Sequence, residues 1–368
     1  MFTTFFSTLS VRIIFAVITS FLMALVIGPR VIANLVARQI GQTIREEGVK
    51  EHKKKAGIPT MGGVIILVPL VITTLLWAKV NTLVVLVMAA TIGMGLIGMT
   101  DDLTKVIKTR SLGLTPRQKL VLQIAIGLGL GAAIVYLPEL RFETLGTTLP
   151  QRAEIPATTI NIPFMSFGDL RWWYVPFVTL VMVSFSNAVN LTDGLDGLAA
   201  GTMGIVTLPC MIIAYIAGNR VFSDHLGVIF IPGAGELAVF CAALFGGCLG
   251  FLWFNSYPAQ VFMGDTGSLA LGGAIGALGV LTKTELFLVV IGAIFVVEAL
   301  SVTLQVSYFK YTKNRYGEGR RIFNMAPLHH HFELAGWAEP KVVFRFWIVT
   351  MMLSLLGLAL FGGALLYK

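Results

Sequence analysis

Charge is scarce in this sequence. Asp, Glu, Lys and Arg make up only 12% of its 368 residues, hydrophobic residues make up 56%, and the mean hydropathy is +0.84. A soluble domain carries about twice that charged fraction, so a water-soluble fold is excluded for most of the chain and a bilayer is its solvent. Cysteine is scarcer still: Cys210, Cys241 and Cys248 lie inside apolar segments without metal-ligand spacing. Neither a disulfide framework nor a zinc site is expected from them. An internal repeat is also lacking, which weakens an inverted-repeat transporter. The net charge of +8 then reads as basic loops beside membrane helices and not as a nucleic-acid surface.

What is plentiful is apolar sequence. A span needs about 20 mainly apolar residues, and ten stretches meet or approach that length, near 12–36, 60–78, 81–100, 119–137, 172–189, 198–217, 235–254, 268–282, 285–309 and 344–366. The run from Ile13 to Gly28, followed by Pro29-Arg30, is read as a retained first helix and not a cleaved signal. The expected fold is an all-α, polytopic membrane protein with about ten transmembrane helices, residues 1–368 forming a single domain. An even number of spans puts both termini on one side. With that side extracytoplasmic, the inside loops collect Arg38, Arg45, Lys50, Lys53, Lys54 and Lys55; Lys105, Lys108, Arg110, Arg117 and Lys119; and Lys310, Lys313, Arg315, Arg320, Arg321, Lys341 and Arg345, the greater part of the 27 basic residues. Arg12, Lys79, Arg141 and Lys283 fall on the other side. The positive-inside rule favours this orientation.

Five polar clusters then share the cytoplasmic side. Asp101-Asp102-x-x-Lys105 closes the third span. Adjacent helical residues point about 100° apart, so one pocket uses both carboxylates only near a helix end or through a metal. Lys105, one turn on, is placed to neutralise one of them; solvated charges at an interfacial helix end are the plain alternative. In "NAVNLTDGLDGLA", Asn187 to Ala199, Asp193 and Asp196 share a face of a helical turn, and Gly194 and Gly197 leave the backbone bare for a ligand. A cap on the next helix from Thr192 or Asp193 explains one aspartate, but not both together with two asparagines.

In "NSYPAQVFMGDTGSLALGG", Asn255 to Gly273, Asp265 either caps the following helix or holds Mg2+, a hard cation that takes oxygen ligands. Phe262 offers an aromatic face to a base or simply packs. "APLHHHFE" contains His329, His330 and His331, three of only five histidines; adjacent imidazoles on a helix diverge, so a phosphate-facing or loop-ordering role is more plausible than a shared metal. "KKKAGIPTMGG" supplies membrane-anchoring lysines and then a shaped turn in which Lys55 and Thr60 face a ligand. Glu298 lies inside the ninth span, an intramembrane carboxylate and hence a functional hypothesis by default. A neighbouring hydroxyl or backbone group would equally satisfy it, and it is left out of the expected site.

Together these clusters resemble the polyprenyl-phosphate N-acetylhexosamine-1-phosphate transferases over nearly the whole chain. "DDLTK", "NLTDGLDGLA" and "FMGDTGSLALGG" mark the superfamily, and "APLHHHFE" with "KKKAGIPTMGG" points to its muramoyl-pentapeptide branch. The resemblance implies a bacterial inner-membrane enzyme of peptidoglycan synthesis whose active site faces the cytoplasm. It implies transfer of phospho-N-acetylmuramoyl-pentapeptide from UDP-N-acetylmuramoyl-pentapeptide to undecaprenyl phosphate, with Mg2+ as cofactor, UMP as the second product, and a homodimer as the assembly. By the same resemblance Asp265 is the Mg2+ ligand, and Asp101 deprotonates or positions the lipid phosphate with support from Asp102. Lys55, Thr60, Asn190, Asp193, Asp196, Asn255 and Phe262 line the uridine-diphosphate site, and His329 and His330 contact the diphosphate or order their loop. Direct attack by the lipid phosphate is favoured over a covalent aspartyl intermediate, because an anionic phosphate needs little activation. A sister enzyme acting on UDP-N-acetylglucosamine and an ion-coupled transporter are the alternatives.

Overall fold

The computed structural model describes residues 7–38, 55, 57–107, 113–145, 152–162 and 168–363. Arg45, Lys50, Lys53, Lys54, Lys108 and Arg110, expected in inside loops, lie outside the described residues. The helices are α1 (Leu9–Ala37), α2 (Val64–Trp77), α3 (Thr82–Ile107), α4 (Pro116–Tyr136), α5 (Tyr174–Thr192), α6 (Leu198–Ala217), α7 (Arg220–His225), α8 (Gly235–Asn255), α9 (Gly264–Leu281), α10 (Glu285–Ile291), α11 (Ala293–Tyr316), α12 (Leu328–Leu334) and α13 (Glu339–Gly363). Between α4 and α5 lie two small antiparallel hairpins, β1 (Glu143–Leu145) with β2 (Arg152–Glu154) and β3 (Thr159–Ile160) with β4 (Gly168–Asp169). Among the described residues nine helices are long and apolar enough to cross a membrane. The all-α polytopic expectation therefore holds.

Three expected spans need correction. The second, expected at 60–78, is the 14-residue helix α2, too short to count among the nine. Its first residues are not helical because they pair with a distant loop: Gly62 N–H donates to Phe262 O at 2.8 Å, Gly63 N–H to Met263 O at 2.9 Å, and Phe262 N–H to Pro59 O at 2.8 Å. The third does not end before its aspartates, since α3 continues as helix to Ile107 and carries Asp101 and Asp102 inside it. The ninth is broken at Gly292 into α10 and the longer α11, which runs on to Tyr316. A glycine there removes the side-chain contacts that would carry a helix across the joint.

The core is built around α9. Its window is 89% buried, and it packs mainly on α3 and α5, while α8 packs on α1 and α6. Small side chains along α9, including Ala270, Gly272, Gly273, Ala274 and Ala277, let neighbouring backbones approach closely, which is how membrane helices associate without a hydrophobic driving force. Lys283, expected in an outside loop, is instead 1% exposed. Its Nζ donates to Ala157 O and, at 2.7 Å, to Tyr174 Oη, and it sits over the Phe142 and Tyr174 rings, so cation–π contact replaces water.

A second buried charge fastens the same end of the bundle. Arg12 on α1 is 7% exposed, and its guanidinium donates two bonds to Glu236 on α8, at 2.6 and 2.7 Å, and one to Trp77 O at 2.9 Å. Removing one partner of a buried pair strands the other charge. Arg12→Ala should therefore cost about 3 kcal/mol, read as a lowered detergent-unfolding midpoint, and an unchanged midpoint would show that Glu236 finds water there.

Candidate active site

Two helix ends from opposite halves of the sequence meet where the expected carboxylates lie. A Cβ built on Gly98 of α3 would stand 2.0 Å from Asp265 O, so only glycine lets α3 lie against the start of α9. Gly98→Ala should push Asp265 away from α3 and cut turnover at least about tenfold; normal kinetics in that variant would mean the two helices part at no cost.

Asp101 and Asp102, 1% and 2% exposed, divide the work of this contact. Asp102 reaches the first turn of α9, where Oδ1 accepts from Asp265 N–H at 3.2 Å and Oδ2 accepts from Thr266 N–H at 2.9 Å and Thr266 Oγ1 at 2.7 Å. It supplies from a neighbouring helix the cap that a side chain just before α9 would normally give. The capping role that was the alternative for Asp265 thus belongs to Asp102, and Asp265 is left facing the cluster.

Asp101 Oδ1 accepts from Leu114 N–H at 2.8 Å, whereas its buried Oδ2 has no hydrogen-bond partner in good geometry. That oxygen faces Lys105 Nζ at 2.6 Å and Lys119 Nζ at 3.3 Å. Lys105 also stands 3.6 Å from Asp102, as its spacing implied. Both lysines donate to Asp265 Oδ2, Lys105 at 3.1 Å and Lys119 at 2.6 Å. Lys119 is delivered by the first turns of α4, whose start is set by a capping box between Thr115 and Gln118 with Pro116 at the first helical position. Asp265 Oδ1 accepts from Asn190 Nδ2 at 2.8 Å, and that amide also donates to Ser268 Oγ at 2.8 Å. One oxygen from each of Asp101, Asp102 and Asp265 lies within 4.8 Å of the others.

Asp193 follows α5 and is half-buried beside this cluster. Burial, and then the Asp265, Asp102 and Asp196 carboxylates, push its carboxyl up to about 8. It is not a cap: α6 begins after Gly197 with no side-chain cap, and Thr192 Oγ1 donates back to Ala188 O within α5. Thr60 approaches from the α2 side, where a Cβ on Gly264 would meet Thr60 Oγ1 at 2.8 Å and Asp102 Oδ2 at 2.7 Å.

Other expected ligand residues are occupied with one another. Lys55 Nζ donates to Asp196 Oδ1 at 2.7 Å and to Glu339 Oε1 at 2.6 Å. Burial opposes its charge, but these two carboxylates hold the Lys55 ammonium above its usual range. Asp196 Oδ2 accepts from Ala259 N–H at 3.0 Å. Asn255 braces the same turn, accepting from Gly197 N–H at 3.0 Å and donating to Val261 O at 2.9 Å, and the Phe262 backbone pairs with the 59–63 segment. The three consecutive histidines diverge: His329 Nδ1 faces Glu298 at 3.2 Å, His330 Nδ1 faces Glu333 at 2.7 Å, and His331 Nδ1 accepts from Asn324 N–H at 3.1 Å.

Sequence reasoning missed several members. Lys119 was assigned only to a basic loop, although a lysine one turn inside a capped helix start was its available signal. Ser268, one turn beyond Asp265, was legible by helical spacing. Glu339 gave no signal, and Glu298 was left aside.

The chain is similar to known proteins over nearly its whole length. Residues 83–283 match the model of glycosyl transferase family 4, and residues 55–67 match phospho-N-acetylmuramoyl-pentapeptide-transferase signature 1. A phospho-N-acetylmuramoyl-pentapeptide-transferase from Geobacter sp. (strain M21) is 48% identical over 96% of this chain and 94% of its own length. Those of Desulfatibacillum aliphaticivorans and Thermodesulfovibrio yellowstonii are 49% and 46% identical, over 96% of this chain and 94% and 93% of their own lengths. Matches of that extent, carried through the aspartate cluster and the Lys55 segment alike, place the chain in glycosyl transferase family 4 and in the family of phospho-N-acetylmuramoyl-pentapeptide-transferases.

Proposed function

We propose that the chain transfers phospho-N-acetylmuramoyl-pentapeptide from UDP-N-acetylmuramoyl-pentapeptide to undecaprenyl phosphate, giving undecaprenyl-diphospho-N-acetylmuramoyl-pentapeptide and UMP. The observation that carries this reading is the meeting of three carboxylates and two lysines at the joined ends of α3, α4 and α9. Such a set suits a reaction between two anions, in which positioning and charge compensation dominate the barrier.

The residues fit Mg2+. The donors are hard carboxylate oxygens close enough to share one ion, and buried Asp101 Oδ2 has ion-pair contacts to Lys105 and Lys119 as its only partners among the described residues. Charge agrees, since two lysines leave one of three carboxylates uncompensated. Asp265 would hold the ion with Asp101 beside it, and the bound ion would supply positive charge to the diphosphate and to the departing UMP.

The protein's own groups do the rest. Asp101 Oδ2 orients the acceptor phosphate and takes its remaining proton where one is present. An acceptor oxygen then bonds to the sugar-linked phosphorus as the bond from that phosphorus to the oxygen of UMP breaks. Lys105 and Lys119 compensate the charge gathered there. Asp102 keeps α9 seated, and the Lys55, Asp196 and Glu339 group with Asn255 and Phe262 shapes the uridine side. An active site at helix ends serves an acceptor whose isoprenoid chain stays in lipid and a nucleotide that arrives from water. The cytoplasmic placement of that site, extracytoplasmic termini, the bacterial inner membrane and a homodimer complete the reading, supported by the distribution of Lys and Arg and by the family.

Purified protein in nanodiscs with undecaprenyl phosphate tests it. Magnesium-dependent UMP release from UDP-N-acetylmuramoyl-pentapeptide, abolished by EDTA and restored by Mg2+, is the expected result. Release from UDP-N-acetylglucosamine instead would sink the muramoyl substrate.

A further inference from the structure

Resting on that reading, we propose that Glu298 is a positioning residue of the transfer, acting through His329 on the Asp193–Gly194 turn. Few residues of α11 are buried, namely Ile294, Phe295, Glu298, Ser301 and Thr312. Glu298 is the one carboxylate among them, at 0% exposure inside a membrane-spanning helix. A carboxylate in that place is costly unless a specific partner holds it.

The partner is His329, also at 0% exposure. Glu298 Oε1 accepts from His329 N–H at 3.2 Å, and Oε2 faces His329 Nδ1 at 3.2 Å without hydrogen-bond geometry, so a single carboxylate holds the backbone and lies against the ring. Competing partners are turned elsewhere. Ser301 Oγ donates to the Glu298 carbonyl, and Arg345, which lines the same apolar cavity of about 480 Å3 as Glu298, stacks on Trp337 at 4.0 Å. With Nδ1 facing Glu298, the opposite ring nitrogen is directed at α6's approach: a Cβ built on Gly194 would stand 2.2 Å from His329 Nε2. Gly194 is bare so that the imidazole can rest on its backbone. The adjacent Asp193 shares the electrostatics of Asp265, Asp102 and Asp196, so the ring presses on the segment joining the aspartate cluster to the Lys55 group. Nδ1 and Nε2 are both buried with no hydrogen-bond partner among the described residues, so the ring is an unsatisfied polar group whose place depends on Glu298 and on the Gly194 backbone.

Glu298→Gln keeps the volume and one acceptor while removing the carboxylate, which suits it to the test. Kinetics of UMP release should show the KM for UDP-N-acetylmuramoyl-pentapeptide raised about tenfold, a loss of ground-state positioning. The KM for undecaprenyl phosphate and the detergent-melting midpoint should stay near wild type. His329→Ala should raise the donor KM by a similar factor, and combining the two changes should add little more, the signature of residues acting as one unit. A donor KM within twofold of wild type in E298Q, or effects of the two changes that simply multiply, would overturn the proposal. If E298Q does not fold, His329→Ala alone carries the same comparison of the two KM values, and an unchanged donor KM there overturns it equally. Wild-type protein that releases no UMP would overturn the transferase reading itself, a result distinct from either.

Discussion

Asp265→Asn protein should release UMP about 10^3-fold more slowly than wild type, a barrier increase of about 4 kcal/mol, while remaining folded. Asp265 is where every line of the cluster converges: Lys105 and Lys119 donate to Oδ2 and Asn190 donates to Oδ1. An asparagine there keeps the shape but removes the charge. Two ammonium groups would then lose one of the two carboxylates they share, and the proposed Mg2+ would lose its principal ligand. The expected signature is a lost magnesium response at every concentration tested, with the melting midpoint close to wild type. Turnover within tenfold of wild type would remove Asp265 from the centre of the mechanism.

The second large effect separates the adjacent aspartates. Asp102→Ala should destabilise the protein by about 3 kcal/mol and abolish turnover, because it leaves the Asp265 and Thr266 N–H groups and the Thr266 hydroxyl without an acceptor in a buried position. Asp101→Asn should abolish turnover to a similar degree with a smaller loss of stability, since Lys105 and Lys119 keep Asp265 as an acceptor when the Asp101 charge is gone and an amide oxygen still accepts from Leu114 N–H. Detergent-unfolding midpoints measured beside UMP release check both. If the two variants have equal midpoints, the division of labour between capping and chemistry is wrong.

Much of this protein was legible along the chain. Membrane residency, the all-α class and the approximate places of most helices follow from the transfer energy of each side chain, summed over a window of about 20 residues. Such a sum needs no knowledge of neighbours in space. It failed where neighbours intervened: Gly62 and Gly63 fall inside the expected second span but hydrogen-bond to Phe262 and Met263 instead, and Lys283 counts as polar but is buried in a cage of Phe142 and Tyr174. The chemistry-bearing residue types were legible as well, because carboxylates and glycines beside membrane helices stand out against an apolar background.

Only the tertiary structure decided which of these residues meet and what each one does. Asp102 caps a helix through an N–H group 163 residues later than itself. Lys119 enters the cluster across 146 residues, and Glu298 finds His329 across 31. The physical reason is that a buried polar group must be satisfied by whatever donor or acceptor the packing brings within about 3 Å, and packing is a property of the whole helix arrangement. Composition and motif determined that this chain is a membrane protein carrying an acidic, phosphate-directed site. The approach of α3 to α9 at Gly98 determined that Asp102 caps α9 while Asp101 and Asp265 face the two lysines.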